Sequence, residues 1–215
     1  MNNRFAIVFA ALVIVFGAIF VLTKEKADAP TGGKGPAQAS NHVLGDNKKG
    51  VTLVEYGDFQ CPACTAYHPL VKAVIEKYKS DISFQFVSFP LTSIHQNAMA
   101  AHRAAEAANM QGKYWEMHDL LYTNSQAWSR ASNTTTVFES FAQQLGLDVP
   151  KFKQDAASST VNGIINADLA KGKKLNISST PTFFLNGKKI DQPPQSVEEF
   201  NKLIDNALAA KQPAS

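Results

Sequence analysis

Hydrophobic and polar positions change period several times along the chain. Phe5 to Leu22 has no period at all: 18 consecutive uncharged, mostly apolar residues. As a helix this run would be about 27 Å long, close to the hydrocarbon thickness of a bilayer, so residues 1–22 read as a membrane anchor. A cleaved signal peptide is the competing reading, with Ala27-Asp28-Ala29 as a small-x-small site. The apolar run is longer than a signal peptide's usual core of about 7–15 residues, and Pro30 would follow the cut, so the anchor is preferred. Arg4 before the run and Lys24 and Lys26 after it leave orientation undecided by charge alone. Residues 23–41 are charged, then rich in Gly, Pro and Ala, with no apolar period. They read as a flexible linker with an end-to-end distance of roughly 25 Å.

From His42 to Lys211 the pattern is that of a folded domain. Val51 to Tyr56 is β-rich and apolar on both faces, as in a buried central strand. A helix is predicted from near Cys61, with Tyr67, Leu70, Val71, Val74, Ile75 and Tyr78 at helical spacing and Pro69 as a kink. Ile82, Phe84 and Phe86 mark a second strand, which makes a right-handed βαβ unit. Residues 94–175 then read as helical throughout. Thr136-Val-Phe-Glu139 has the form of a capping box, Asp148 and Pro150 open another helix, and 129–135 is a polar loop. Thr182 to Leu185 returns to strand and is followed by Asn186-Gly187, a type I′ hairpin signal, with Lys188 to Ile190 as the return strand. Ser196-Val-Glu-Glu199 caps a last amphipathic helix. The order is β-α-β, a helical insert, then β-β-α.

Composition narrows the class. The 215 residues are 45% hydrophobic and 18% charged, which excludes wholesale disorder. A net charge of +3 without a Lys/Arg block gives no nucleic-acid footprint. Two cysteines exclude both a disulfide-stapled scaffold and a Cys₄ or Cys₃His zinc site. His42, His68, His95, His102 and His118 lack paired zinc spacing and read as surface or capping residues, with His95 a candidate cap of the insert's first helix. No metal and no cofactor is expected.

The chemistry centres on Cys61-Pro62-Ala63-Cys64. A C-x-x-C at a strand-to-helix junction within a βαβ pattern is a redox signature. Residues i and i+3 in a first helical turn share a side, so their sulfurs can reach bonding distance. Cys61 falls at the helix N-terminus, where free N–H groups and the dipole favour a thiolate, and Pro62 sits where a missing N–H costs little. Cys64, one turn in, is expected to be buried and to resolve.

Glu55-Tyr-Gly-Asp-Phe-Gln-Cys61-Pro-Ala-Cys64, together with Thr180-Pro-Thr-Phe-Phe-Leu-Asn-Gly187 some 117 residues after Cys64, resembles the DsbA-type thiol:disulfide oxidoreductases of the thioredoxin superfamily. Phe89-Pro90-Leu91 with His95, and Gly112 to Asp119, are similar as well. The likeness runs from about His42 to Leu208. It implies an α/β, thioredoxin-like fold (βαβ…ββα) with an all-helical insertion at about 94–175, preceded by the transmembrane helix. It also implies that Thr180-Pro181 is a cis-proline loop facing the cysteines and binding substrate backbone. Glu55, six positions before Cys61, matches a buried acid able to relay a proton to Cys64; the alternative for Glu55 is a solvent-facing strand position. By the same resemblance the protein oxidises reduced secreted or surface proteins outside the cytoplasm, and a quinone-linked membrane partner reoxidises it. A reductase or isomerase, or a non-catalytic polypeptide-binding module, are the alternatives. Ala63 stands where the strongest oxidants carry His, which argues for moderate oxidising power. Asn176 and Ser179 stand where relatives have Gly.

Overall fold

The computed structural model describes residues 37–211. The anchor reading at 1–22 and most of the linker reading lie outside them. Among the described residues no helix is long and apolar enough to cross a membrane. The elements are β1 (His42–Leu44), β2 (Val51–Gly57), α1 (Pro62–Tyr78), β3 (Ile82–Ser88), α2 (Ala98–Asn109), α3 (Tyr114–Thr123), α4 (Ser125–Trp128), α5 (Thr135–Gln144), α6 (Val149–Ala157), α7 (Ser159–Lys174), β4 (Thr182–Leu185), β5 (Lys188–Lys189) and α8 (Val197–Ala209).

One sheet of order β1-β3-β2-β4-β5 organises the molecule. β2 and β3 run parallel, as the βαβ reading requires, and β1 and β4 are antiparallel to their neighbours. β2 and β3 are buried on both faces. Side chains alternate along β2, so Val51, Leu53 and Glu55 share one face while Val54 and Tyr56 share the other. The first face packs in the main core with Phe84, Phe86 and residues of α1, α2, α3 and α8. Tyr56 on the second face packs with Val87, Phe89, Ile177 and Phe184. On that side α7 comes so close that a Cβ on Gly172 would lie 2.6 Å from the Phe89 ring, so only glycine fits.

The insert is helical from α2 to α7, with no strand among its described residues. The Asn186-Gly187 turn has both residues at positive φ, 50° and 80°, as a type I′ hairpin demands. Asn176 adopts φ 56° where relatives were expected to need Gly, a conformation that asparagine tolerates better than most residues.

Several expectations are corrected. β1 was not foreseen: three residues leave no period to read. Ser40, counted within the linker, is buried; its N–H and hydroxyl donate to Asp168 on α7 at 2.8 and 2.6 Å. The Thr136 capping box does not form. α5 begins two residues earlier, with Thr134 as its N-cap; the Asn133 side chain accepts from Thr135 N, and Glu139 pairs with Lys153 instead. At α8 the box forms in part: Ser196 accepts from Glu199 N, but the Glu199 carboxylate reaches Gln195 N. His42, His102 and His118 are buried rather than on the surface, and His95 caps no helix.

Candidate active site

The turn between β2 and α1 delivers Cys61. Asp58 is fully buried, and its carboxylate accepts from Gln60 N and Leu91 N, each at 2.8 Å, and pairs with His95 Nδ1 at 2.7 Å. Its carbonyl accepts from Cys61 N at 3.0 Å. The Gln60 side chain ties this turn to the insert, donating to Ser129 O and accepting from Asn97 N, both at 2.6 Å. Sequence reasoning passed over Asp58, Gln60 and His95 as site residues. Their signal was the Asp-Phe-Gln turn itself: a short acceptor at the end of a strand can hold the backbone N–H groups of the loop that follows.

Cys61 is the N-cap of α1, with Pro62 at the first helical position. Both cysteines are free thiols; Cys61 is 6% exposed and Cys64 wholly buried. Pro62 and Ala63 are exposed on the helix tip. Thr180-Pro181 is a cis peptide bond, and its loop faces the cysteines: the Cys61 Sγ–H donates to Thr180 O at 3.3 Å. The buried Thr180 hydroxyl has no partner among the described residues, so it is free to turn toward a thiolate on Cys61.

The electrostatics separate the two sulfurs. The Cys61 thiol is lowered to about 5, first by a hydrogen bond from Cys64, then by the Thr180 hydroxyl and the N–H groups of Cys64 and Ala63; partial burial opposes them. The Cys64 thiol is pushed well up by burial, by its bond to the Cys61 sulfur and by the nearby Glu55 charge. Glu55 is 3% exposed, on the face of β2 that looks toward α1, and not at a solvent-facing position. Burial, with a smaller contribution from the Cys61 charge, pushes its carboxyl up to about 8. At neutral pH the site therefore holds a thiolate at the rim, a protonated thiol behind it and a protonated carboxyl beneath. A thiolate with a neutral thiol and a neutral acid behind it is an arrangement compatible with thiol–disulfide exchange.

Residues 37–206 match the Thioredoxin family model. The chain belongs to the thioredoxin family. It is 29% identical over 206 residues to a probable disulfide bond formation protein D of Bacillus cereus, covering 92% of each. It is 35% identical over 170 residues to Na(+)/H(+) antiporter NhaA 3 of Salinispora tropica, covering 79% of this chain and 25% of that one. This chain thus spans about a quarter of the length of the antiporter relatives it matches. Among solved structures, oxidised BdbD from Bacillus subtilis superposes with a TM-score of 0.69 at 24% identity, covering 81% of this chain and 97% of that one.

Proposed function

We propose that this DsbA-like thiol:disulfide oxidoreductase introduces disulfide bonds into reduced secreted or surface proteins, working outside the cytoplasm from a single membrane anchor at residues 1–22. The observation that carries the reading is the asymmetry of the pair: Cys61 is stabilised as a thiolate against the Thr180-cis-Pro181 loop, and Cys64 is kept protonated behind it. A stabilised thiolate favours the reduced protein, and that makes its disulfide an oxidant.

The oxidised protein carries the Cys61–Cys64 bond. A substrate thiolate attacks Cys61 Sγ, the S–S bond breaks, and the electron pair leaves on Cys64. The leaving sulfur takes a proton, and Glu55 is the buried acid suited to supply it. The substrate's second thiolate then attacks its own sulfur in the mixed disulfide, and Cys61 departs as the stabilised thiolate. Two electrons have passed from substrate to protein. A quinone-linked membrane oxidase is the partner that takes them away. The polypeptide substrate lies along the Thr180-Pro181 loop, where backbone groups are available to it. The insert, tied to the active-site turn through Gln60, borders the same region.

Oxidative refolding of a reduced two-cysteine protein tests the reading. Cys61→Ala is expected to abolish dithiol oxidation, and Cys64→Ala to accumulate mixed disulfides through Cys61. An impermeant thiol reagent on reduced intact cells is expected to label Cys61; labelling only after lysis contradicts the location. Net reduction of a substrate disulfide in a buffer poised with glutathione would favour a reductase instead.

A further inference from the structure

Fifty residues separate His68 on α1 from His118 on α3, yet the fold places them side by side with Asp119. Asp119 Oδ1 lies 3.6 Å from His68 Nε2 and 3.4 Å from His118 Nδ1, and the donor atoms of all three fall within 4.8 Å of one another. They line a cleft of about 210 Å³ between α1 and α3, whose wall also includes Glu55, Lys72 and Trp115. The cleft is separate from the rim where Cys61 meets Thr180.

The two separations from Asp119 Oδ1 are close to those of a metal ligand set. Two imidazole nitrogens and a carboxylate oxygen around tetrahedral zinc, each about 2.0–2.1 Å from the ion, stand roughly 3.4 Å apart. Two neutral nitrogens and one anionic oxygen are the donor set of a borderline divalent ion rather than of calcium or magnesium, which take oxygen. Burial lowers His68 to about 4, so its ring is neutral, and the Asp119 carboxyl is held well below the usual carboxylate range by the bonds from His118 and Lys72. Binding would replace the contact between His118 Nδ1 and Asp119 Oδ1: the ring carries its proton on Nε2 and gives the Nδ1 lone pair to the ion. Lys72 Nζ sits 2.6 Å from Oδ2, the other carboxylate oxygen, and leaves Oδ1 facing the two rings. Two of the ligands follow one another on α3 and the third is on α1, so an ion here would staple the active-site helix to the insert.

We propose that His68, His118 and Asp119 form a site for one divalent transition-metal ion of the zinc class, with its fourth position open to the cleft. His118 Nε2 is buried without a hydrogen-bond partner among the described residues. The ring therefore lacks the carboxylate that usually backs a ligating histidine, and this weakens the site relative to a dedicated structural zinc centre. Lys72 competes with the ion for Asp119.

Zinc alone is the probe, titrated into the untagged full chain in detergent after oxidation, so that neither cysteine offers a thiolate. One equivalent is expected to bind and to raise the melting temperature, because it binds the folded state. Asp119→Ala and His68→Gln, both at partly exposed positions, are each expected to weaken binding at least tenfold while thermal unfolding without metal remains cooperative. Lys72→Ala is expected to tighten binding severalfold. Cobalt in place of zinc should give weak visible bands without thiolate charge transfer. No stoichiometric binding to the oxidised chain, or binding that survives both ligand substitutions unchanged, overturns the proposal. Neither result depends on the redox activity of Cys61.

Discussion

Thr180 and Cys61 set the character of the site at the scale of single residues. The Thr180 hydroxyl is one of few donors that a Cys61 thiolate can find, and hydrogen bonds to charged groups are worth about 1.5–3 kcal/mol. Thr180→Val should raise the Cys61 pKa from about 5 toward the ordinary thiol range and weaken the oxidant; alkylation rate against pH reads this directly. Glu55 carries two effects. Glu55→Gln should slow turnover by about a hundredfold where proton transfer to Cys64 limits the rate, with the Cys61 alkylation pKa little changed. It should also alter stability. Glu55 is raised in the fold from an ordinary 4.5 to about 8, so its contribution is fully present below pH 4.5 and is lost as pH rises toward 8. Urea denaturation at several pH values should show this decline in the parent and not in Glu55→Gln. His102 acts in the opposite sense. Buried with neither ring nitrogen bonded, it is lowered to about 4, so its contribution is present above pH 6.5 and is lost as pH falls toward 4. Relative to the parent, His102→Leu should gain on the order of 3 kcal/mol between pH 6.5 and pH 4, a value that urea midpoints can check. Cys61, Pro62, Ala63 and Cys64 were legible in the sequence because the motif is local, and the Thr180-Pro181 loop was legible through the resemblance. Glu55 was legible only through the resemblance, which matched it to a buried acid, while strand alternation left a solvent-facing position open. Asp58 with His95, and His68 with His118 and Asp119, were not legible: tertiary packing alone brings together residues 37 and 50 positions apart.

Among the elements, the sequence pattern carried furthest where it was longest. β2, β3, the hairpin of β4 and β5, and the amphipathic α8 follow from alternation, an Asn-Gly turn and helical spacing. β1 is three residues long, and a strand that short has no period; its place is fixed by pairing with Phe84 to Phe86 on β3. The start of α5 was misplaced because two Thr and an Asn compete to cap it, and Asn133 takes the free N–H. The contact holding the N-terminal segment was equally invisible in sequence. Asp168 on α7 accepts from Ser40 N, Ser40 Oγ and Ser88 N, and so ties the start of the described chain and the end of β3 to the insert. Asp168→Ala would leave two buried N–H groups unpaired and should cost about 2–4 kcal/mol, read as a lowered urea midpoint with an unchanged slope.

For the molecule as a whole, the β2–α1 unit of a thioredoxin-type fold supplies the two cysteines, and the helical insert braces the turn before them through Gln60 and through the Asp58–His95 pair. This arrangement has a thermodynamic consequence that no single contact states. Whatever stabilises the Cys61 thiolate stabilises the reduced protein over the disulfide form, and the gap appears as a reduction potential. Ala63 offers the thiolate only its backbone N–H, so the potential should fall short of the strongest oxidants. Equilibrium between the full chain and glutathione buffers of graded ratio, with the thiols trapped by acid and counted, measures it most directly. The account predicts a potential between those of glutaredoxins and of DsbA, roughly −200 to −120 mV, with the protein reduced in buffers that leave ordinary structural disulfides intact. A potential near the −270 mV or so of thioredoxin, with the Cys61–Cys64 bond persisting in strongly reducing buffer, would contradict it.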